Sequence, residues 1–294
     1  MREPAALPSA RLLVLAAALL FSTGGTAIKA TTLSAWQVAG LRSGVAASLL
    51  LLLAPRWRPR AEPRALLVGA AYASVMILFV MANKLTTAAN TIFLQSTAPI
   101  YVLLLGPWLL RERVRAADLA YVAIVGLGIA MLVLGGDVPQ RTAPDPMRGN
   151  VLAAASAVSW ALTIMGLRWL AAGPGDTVRL QGTALVTGNL ITCAVCLPVA
   201  GSLGGASGLD WALVGYLGAF QIGLAYLCLA RGVRGAAAME VSLLLLVEPV
   251  CSALWAWALL GERPGRLSLG GCALVLAATA WRTTRVRPVP SARA

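Results

Sequence analysis

The sequence predicts an all-α membrane protein with ten transmembrane helices, built as two inverted five-helix repeats around a central cavity. Three observations support this prediction. Long apolar runs recur along the chain, charged residues make up only 12% of it, and the same short motifs occur in both halves. Soluble domains carry about 25% charged residues, about twice the share in this chain. Together with the mean hydropathy of +0.80, this low charge excludes a soluble domain of this size.

Ten apolar segments have about the length needed to cross a hydrocarbon core of roughly 30 Å. The first could pass for a signal peptide, but because further spans follow it we expect an uncleaved helix. Asp118, Asn150 and Asp210 stand at helix starts, where their side chains can cap free N–H groups. The predicted helices lie at 11–29, 35–54, 65–83, 88–110, 116–135, 150–171, 178–199, 209–230, 236–260 and 266–283.

The loops predict how the chain is oriented. With the N-terminus in the cytoplasm, most of the 24 Lys and Arg residues fall in cytoplasmic loops, as the positive-inside rule requires. An even number of spans then places the C-terminus in the cytoplasm too. The net charge of +13 is therefore expected to meet anionic lipid headgroups, and nucleic acid is not a predicted partner.

Two stretches of the chain repeat each other. "APIYVLLLGPWLLRERV" at 98–114 and "EPVCSALWAWALLGERP" at 248–264 align at a constant separation. The alignment pairs Pro99 with Pro249, Glu112 with Glu262 and Arg113 with Arg263. Lys29 and Arg168 likewise stand at matching points near the end of the first helix of each half.

Repetition also predicts the domain organisation. Each half has an odd number of helices, so the second half enters the membrane from the opposite side, as in many secondary transporters. The first repeat is assigned to 1–139 and the second to 150–283, joined by a Pro- and Gly-rich linker at 140–149. A cytoplasmic basic tail covers 284–294.

The order of segments resembles a known family. The ending P-x9-L-L-x-E-R of both fourth helices and the E-P-V of the second copy are similar to the EamA family of the drug/metabolite transporter (DMT) superfamily, over essentially the whole chain. The resemblance implies ten helices, a central cavity and a secondary transporter that exports small metabolites, often amino acids, as YddG-type exporters do. It implies a multi-pass protein of the bacterial inner membrane. The alternative substrates are drug-like cations or other small organic metabolites.

The fourth helix of each half has a polar face. Asn90, Leu94, Thr97 and Tyr101 follow helical spacing in the first half. The corresponding face of the second half includes Leu244. These side chains are predicted to line the cavity and bind substrate; the alternative is hydrogen bonding that joins helices.

Glu248 is the strongest single candidate for a functional residue. A carboxylate in the middle of a span costs several kcal/mol unless it is paired, hydrated or protonated, so it indicates a function. Three roles compete for it: binding a substrate ammonium group, carrying a coupling proton, or pairing structurally with Arg42 inside the second span.

Other candidates offer aromatic faces and amide groups, which would suit amino acids with apolar or aromatic side chains. The alternative for each is helix packing. These predicted substrate-binding residues are Tyr72, Phe79, Asn83, Trp160 and Gln221.

Prolines and charged pairs near the helix ends are predicted to have gating or structural roles. Pro99 and Pro249 should interrupt or bend their helices near the cavity. The pairs Glu112–Arg113 and Glu262–Arg263 end their helices near water, so local ion pairs or end caps are the modest interpretation. Matched gate contacts on opposite sides of the membrane are the alternative.

Residue types that are missing narrow the function further. No histidine occurs and the five cysteines lie in apolar segments, which argues against a metal site and against His-based catalysis. No phosphate-binding loop is present, so ATP is not the predicted driver. We therefore predict no enzyme and no cofactor. The expected partners are a small-molecule substrate and the lipid bilayer. A monomer suffices, with a homodimer as the alternative.

Overall fold

The computed structural model describes residues 8–60, 62–109, 116–134, 141–233, 235, 241, 244–263 and 265–285. Every regular element within them is helical. The helices are α1 (Pro8–Ser22), α2 (Gly24–Ala30), α3 (Ala35–Leu53), α4 (Pro63–Leu85), α5 (Ala88–Gln95), α6 (Ala98–Leu109), α7 (Ala116–Leu134), α8 (Pro146–Ala171), α9 (Thr177–Val199), α10 (Gly208–Tyr216), α11 (Ala225–Gly232), α12 (Val247–Leu260) and α13 (Arg266–Arg285). A 3₁₀ turn (Pro55–Trp57) follows α3, and a π-helical segment (Leu217–Leu224) joins α10 to α11.

Apolar composition and length allow much of this helical structure to cross a membrane. Seven helical segments of the described chain are long and apolar enough to do so. Shorter apolar helices cover Leu119–Leu132, Val247–Leu260 and Arg266–Trp281. The prediction of an all-helical membrane protein is confirmed, and the count of ten spans stays a prediction.

Burial is arranged as expected for a protein surrounded by lipid. Large apolar side chains such as Leu52, Leu67 and Leu259 are exposed on the outer surface. Polar side chains such as Asn83 and Asn189 are fully buried. Because lipid tails solvate apolar groups but offer no hydrogen bonds, the polar groups are placed between helices.

The two halves of the chain pack against each other through several pairs of helices. Helix α4 of the first half lies against α8 and α9 of the second, and α3 also packs on α9. Helices α1 and α12 contact each other, as do α7 and α13. The main apolar core accordingly takes residues from both halves, including Leu94, Ala153 and Val275.

Helix starts are set by caps that the sequence predicted only in part. Asn150 is not at a helix start: α8 begins earlier, with Asp145 as the N-cap whose side chain accepts a hydrogen bond from the Arg148 N–H. Asp210 lies in the first turn of α10, where Ser207 is the N-cap and the two form a capping box. Asp118 is the third residue of α7, and its side chain lies outside the described part.

Close contact between α4 and α9 depends on glycine. A Cβ atom at Gly188 would lie 2.6 Å from the backbone oxygen of Gly69 and 2.7 Å from Cδ1 of Tyr72. Both distances are too short for a methyl group, and one neighbour is backbone.

We therefore expect Gly188→Ala to lower the free energy of unfolding by about 1–3 kcal/mol, the usual effect of overpacking. Thermal unfolding of purified protein, followed by tryptophan fluorescence, measures this. Gly215→Ala is the matched control, since nothing lies within 4 Å of the added methyl. Equal melting temperatures for the two variants would contradict the prediction.

Candidate functional site

A cavity of about 130 Å³ lies between the two halves of the chain. Helices α1, α3, α4 and α5 of the first half line one part of it, and α8, α11, α12 and the π-helical segment line the other. Its wall is formed by Phe21, Arg42, Val75, Met76, Phe79, Ile92, Gln95, Ser96, Trp160, Gln221, Ile222, Tyr226 and Glu248.

Helix interruptions surround this cavity. Helix α5 ends at Gln95 and α6 begins at Ala98, so Pro99 lies in the first turn of a new helix. Pro249 likewise lies in the first turn of α12. Both prolines therefore follow a helix interruption and do not bend a continuous helix. In a first turn the backbone N–H has no partner within the helix, so the missing proline N–H costs no hydrogen bond there. Gln221 lies in the π-helical segment, a local distortion frequent at functional sites.

Arg42 is the cation of the cavity. Its side chain is 1% exposed, and it comes from the middle of α3. Nη1 donates to Oε1 of Gln221 at 3.4 Å, and Nη2 donates to the Met76 carbonyl oxygen at 3.3 Å. The guanidinium lies over the Phe79 ring at 6.0 Å from its centroid. No partner for Nε is found in the described part of the chain.

Glu248 is the carboxylate of the cavity. It lies half-buried in the first turn of α12. Within the described ranges it has neither an ion pair nor a hydrogen-bond partner, and it is not ion-paired with Arg42. The cavity thus holds one positive and one negative group that face the same space without neutralising each other by contact.

Aromatic rings form the apolar part of the wall. The ring of Tyr226 contacts Phe21 edge to face at 5.1 Å and Tyr72 at 5.7 Å between centroids. Phe79 and Trp160 also line the cavity. Such rings give a flat apolar surface beside the two charges.

The structure brings together some of the predicted substrate-binding residues and separates others. Phe79, Trp160, Gln221 and Glu248 line the cavity, as does Arg42. The remaining predicted residues are outside its wall. Those that are fully or nearly fully buried are Tyr72, Asn83, Asn90, Leu94 and Thr97, and those that are half-buried are Tyr101 and Leu244.

Several lining residues carry no clear signal in the sequence. Phe21, Val75 and Ile92 resemble ordinary core residues, since they are apolar side chains within apolar segments. Ser96 follows the last residue of α5, and the position of that break is decided by packing. Gln95 differs from these residues, because the sequence shows it as an amide group inside a predicted span.

Asn90 belongs to a buried network instead. Oδ1 of Asn150 accepts hydrogen bonds from Oγ1 of Thr86 at 2.7 Å and from Nδ2 of Asn90 at 3.2 Å. Nδ2 of Asn150 donates to the Leu132 carbonyl oxygen at 2.9 Å. One asparagine of the second half thus joins three segments of the first.

A second set of polar contacts lies at one end of the bundle. Nζ of Lys29 lies 2.9 Å from Oε1 of Glu262, and the two side chains are 2% and 1% exposed. Oε2 of Glu262 accepts from the backbone N–H of Ala88 at 2.8 Å. Lys29 also donates to the carbonyl oxygens of Thr86, at 2.6 Å, and of Thr142. We call these five residues the Lys29–Glu262 cluster.

The expectation that Glu262 ends its helix near water is wrong, and so is the local ion pair with Arg263 that was one interpretation of this motif. Glu262 is buried, and Lys29 of the other half is its partner, while Arg263 is exposed. The sequence neighbour is turned away because α12 ends at Leu260 and Gly261 adopts a left-handed conformation with φ of 67°. Glu112 and Arg113 lie outside the described residues.

Further polar contacts hold the same end of the bundle. Nζ of Lys84 donates to the carbonyl oxygen and Oγ1 of Thr31 at 2.8 and 2.9 Å. Asp210 accepts from the N–H and Oγ1 of Thr32 at 2.7 and 2.8 Å. Thr86 belongs to the Lys29–Glu262 cluster at this end, and Phe79 lies in the cavity wall. Because Thr86 comes about two helical turns after Phe79, this end lies roughly 10 Å from the cavity.

Comparisons with known proteins agree with this architecture. A sequence model described as the EamA-like transporter family matches residues 8–134 and again 147–284. An uncharacterized transporter of Methanothermobacter thermautotrophicus is 24% identical over 189 residues, which are 63% of this chain and 54% of that protein. The match thus spans about half of the length of this relative.

A solved crystal structure, described only as that of a protein, has a similar fold. It superposes with a TM-score of 0.63 at 22% sequence identity, covering 94% of this chain and 98% of the other. The predicted two-repeat architecture is confirmed by the double family match.

Proposed function

Because the chain belongs to the EamA-like transporter family, we propose that it is a secondary transporter that exports small metabolites by alternating access. The expected substrates are amino acids with aromatic or neutral side chains. The proposed location is the bacterial inner membrane, with ten spans and both termini in the cytoplasm. Rocking of one half against the other would expose the cavity to each side in turn.

One observation carries the choice of substrate: the cavity between the halves contains a guanidinium and a carboxylate that are not paired with each other. A zwitterion has both complementary charges, so it satisfies both groups and leaves the filled cavity neutral. The rings of Phe79 and Trp160 would then contact an apolar or aromatic side chain.

Efflux of drug-like cations is the second candidate. The unpaired carboxylate of Glu248 favours it, since a cation would neutralise that group. Arg42 in the same wall opposes it, because a bound monocation would leave the guanidinium without a counter-charge in a site of low dielectric constant.

Counterflow in liposomes tests the proposal directly. Vesicles containing the purified protein are loaded with one unlabelled compound, and entry of the same compound in labelled form is measured. We expect exchange of phenylalanine, tryptophan or a neutral aliphatic amino acid. Exchange of quaternary ammonium compounds, with none of any amino acid, would overturn the amino-acid assignment. Protein-free vesicles and vesicles containing the Glu248→Gln variant are the controls.

A further inference from the structure

Arg42 is buried deeply enough that its charge demands compensation. The side chain is 1% exposed in the middle of α3, within a segment long and apolar enough to cross a membrane. An uncompensated cation at such a position costs several kcal/mol. Buried cations are therefore paired or serve a function.

The hydrogen bonds of Arg42 are few and long. A guanidinium has five N–H donors in a planar fork. The oxygen acceptors found for this one, on Gln221 and Met76, lie at 3.4 and 3.3 Å, beyond the usual distance of about 2.9 Å. Sδ of Met76 at 3.8 Å is a weak third acceptor, and Nε has no partner in the described part of the chain.

Lys29 shows what a compensated cation looks like in the same protein. It is as deeply buried, and it has a carboxylate at 2.9 Å together with backbone carbonyl acceptors. No ion pair of Arg42 occurs among the described residues. The contrast identifies Arg42 as a cation without an anion, located in the wall of a cavity.

From this we infer that Arg42 binds the carboxylate of the transported substrate, while Glu248 across the same cavity binds its ammonium group. This inference rests on the proposed function and narrows it to compounds that carry a carboxylate. Gln221, which already contacts Nη1 at 3.4 Å, is placed to hold the fork in position. The planar fork matches the two oxygens of a carboxylate, a geometry that a lysine does not offer.

A purely structural role predicts a different behaviour. If Arg42 only joined α3 to the Met76 carbonyl, its loss would weaken the fold and reduce binding of every ligand alike. A carboxylate-binding role instead changes the preference between ligands that differ only in the carboxylate. The two roles are therefore separated by a ratio of affinities and not by a loss of activity.

The ratio of affinities is measured with three small molecules that share a phenyl ring. Phenylalanine carries both charges, phenethylamine lacks the carboxylate, and 3-phenylpropanoate lacks the ammonium group. Binding to purified protein in detergent is measured by calorimetry for the wild type, Arg42→Gln and Arg42→Lys. Arg179→Gln is the matched control, since Arg179 pairs with Glu62 at 3.2 Å away from the cavity. Melting temperatures are recorded for all four proteins.

We expect Arg42→Gln to weaken binding of phenylalanine and phenylpropanoate by about 10–100-fold, as for a lost hydrogen bond to a charged group. Phenethylamine should bind as well as before or better. Arg42→Lys should give an intermediate loss, because it keeps the charge without the fork; it also supplies the test if Arg42→Gln does not fold. Arg179→Gln should match the wild type.

Each other outcome has a clear meaning. An equal loss for all three probes, or an unchanged ratio of phenylalanine to phenethylamine, overturns the role of Arg42. If the wild type binds phenylpropanoate alone and Arg42→Gln abolishes that, the carboxylate subsite stands and the amino-acid proposal fails. If the wild type binds only phenethylamine, or none of the three, both fail.

Discussion

Glu262→Gln is expected to lower the free energy of unfolding by about 3–5 kcal/mol, the typical effect of removing one partner from a buried ion pair. The reason lies in Lys29, which would remain charged, 2% exposed and without its carboxylate. Glutamine can still accept from the Ala88 N–H, so that contact is not the source of the loss. Unfolding in detergent, followed by tryptophan fluorescence, measures the change.

The double variant Lys29→Met/Glu262→Gln makes this prediction sharper. Removing both charges leaves no unpaired ion, so the double variant should recover most of the stability lost in Glu262→Gln. The pair of Arg179 and Glu62, whose side chains are 19% and 39% exposed, is the control, and Glu62→Gln should change stability by no more than about 1 kcal/mol. Additive losses in the buried pair, or a Glu262→Gln protein as stable as the wild type, would contradict the interpretation.

The Lys29–Glu262 cluster also bears on transport. It joins α2 and α5 of the first half to the end of α12 in the second, beyond one end of the cavity. Halves that rock apart at this end must separate Lys29 from Glu262. The gating or structural role of Glu262 stays a prediction, which measuring exchange by the Glu262→Gln variant would test.

Glu248→Gln is expected to reduce exchange of amino acids in liposomes by about 10–100-fold while leaving the melting temperature within the range of the wild type. Glutamine keeps the size of the side chain and removes the charge that binds an ammonium group. Glu248 has no partner among the described residues, so its loss leaves no other charge unpaired. A charge-assisted hydrogen bond lost in this way reduces affinity by about 10–100-fold.

Glu248→Asp and Glu62→Gln complete that experiment. The aspartate keeps the charge but shortens the reach, so it should retain part of the exchange. Glu62 is a carboxylate outside the cavity, and its glutamine variant should exchange at the wild-type rate. Exchange by Glu248→Gln as fast as by the wild type would remove Glu248 from the substrate site. Comparing uptake with and without a pH gradient then shows whether protons drive the cycle.

Hydropathy and repetition were sufficient to predict the class of this protein. Apolar runs of membrane length depend on composition within a short window, and the twin motifs around Pro99 and Pro249 are visible in the chain itself. The same local reasoning identified Arg42 and Glu248, because a charge within a span is costly wherever the span lies. Both line the cavity.

Two of the failures concern partners distant in the chain. A local ion pair with Arg263 was one interpretation for Glu262, but Lys29 of the other half binds it. Asn150 was expected to cap a helix, but it joins Thr86 and Asn90. In each case, the sequence contains several residues that could pair with the polar group, and only the packing of the helices decides which of them is near.

Composition, period and motif therefore determined that this chain is a helical membrane protein with two repeats and with charges placed inside it. These properties follow from local free energies of transfer, which each segment carries by itself. The tertiary structure decided which charges meet. It brings Lys29 to Glu262 at 2.9 Å and leaves Arg42 and Glu248 unpaired across one cavity. That difference arises because electrostatic attraction depends on distance through space, and helix packing alone sets that distance.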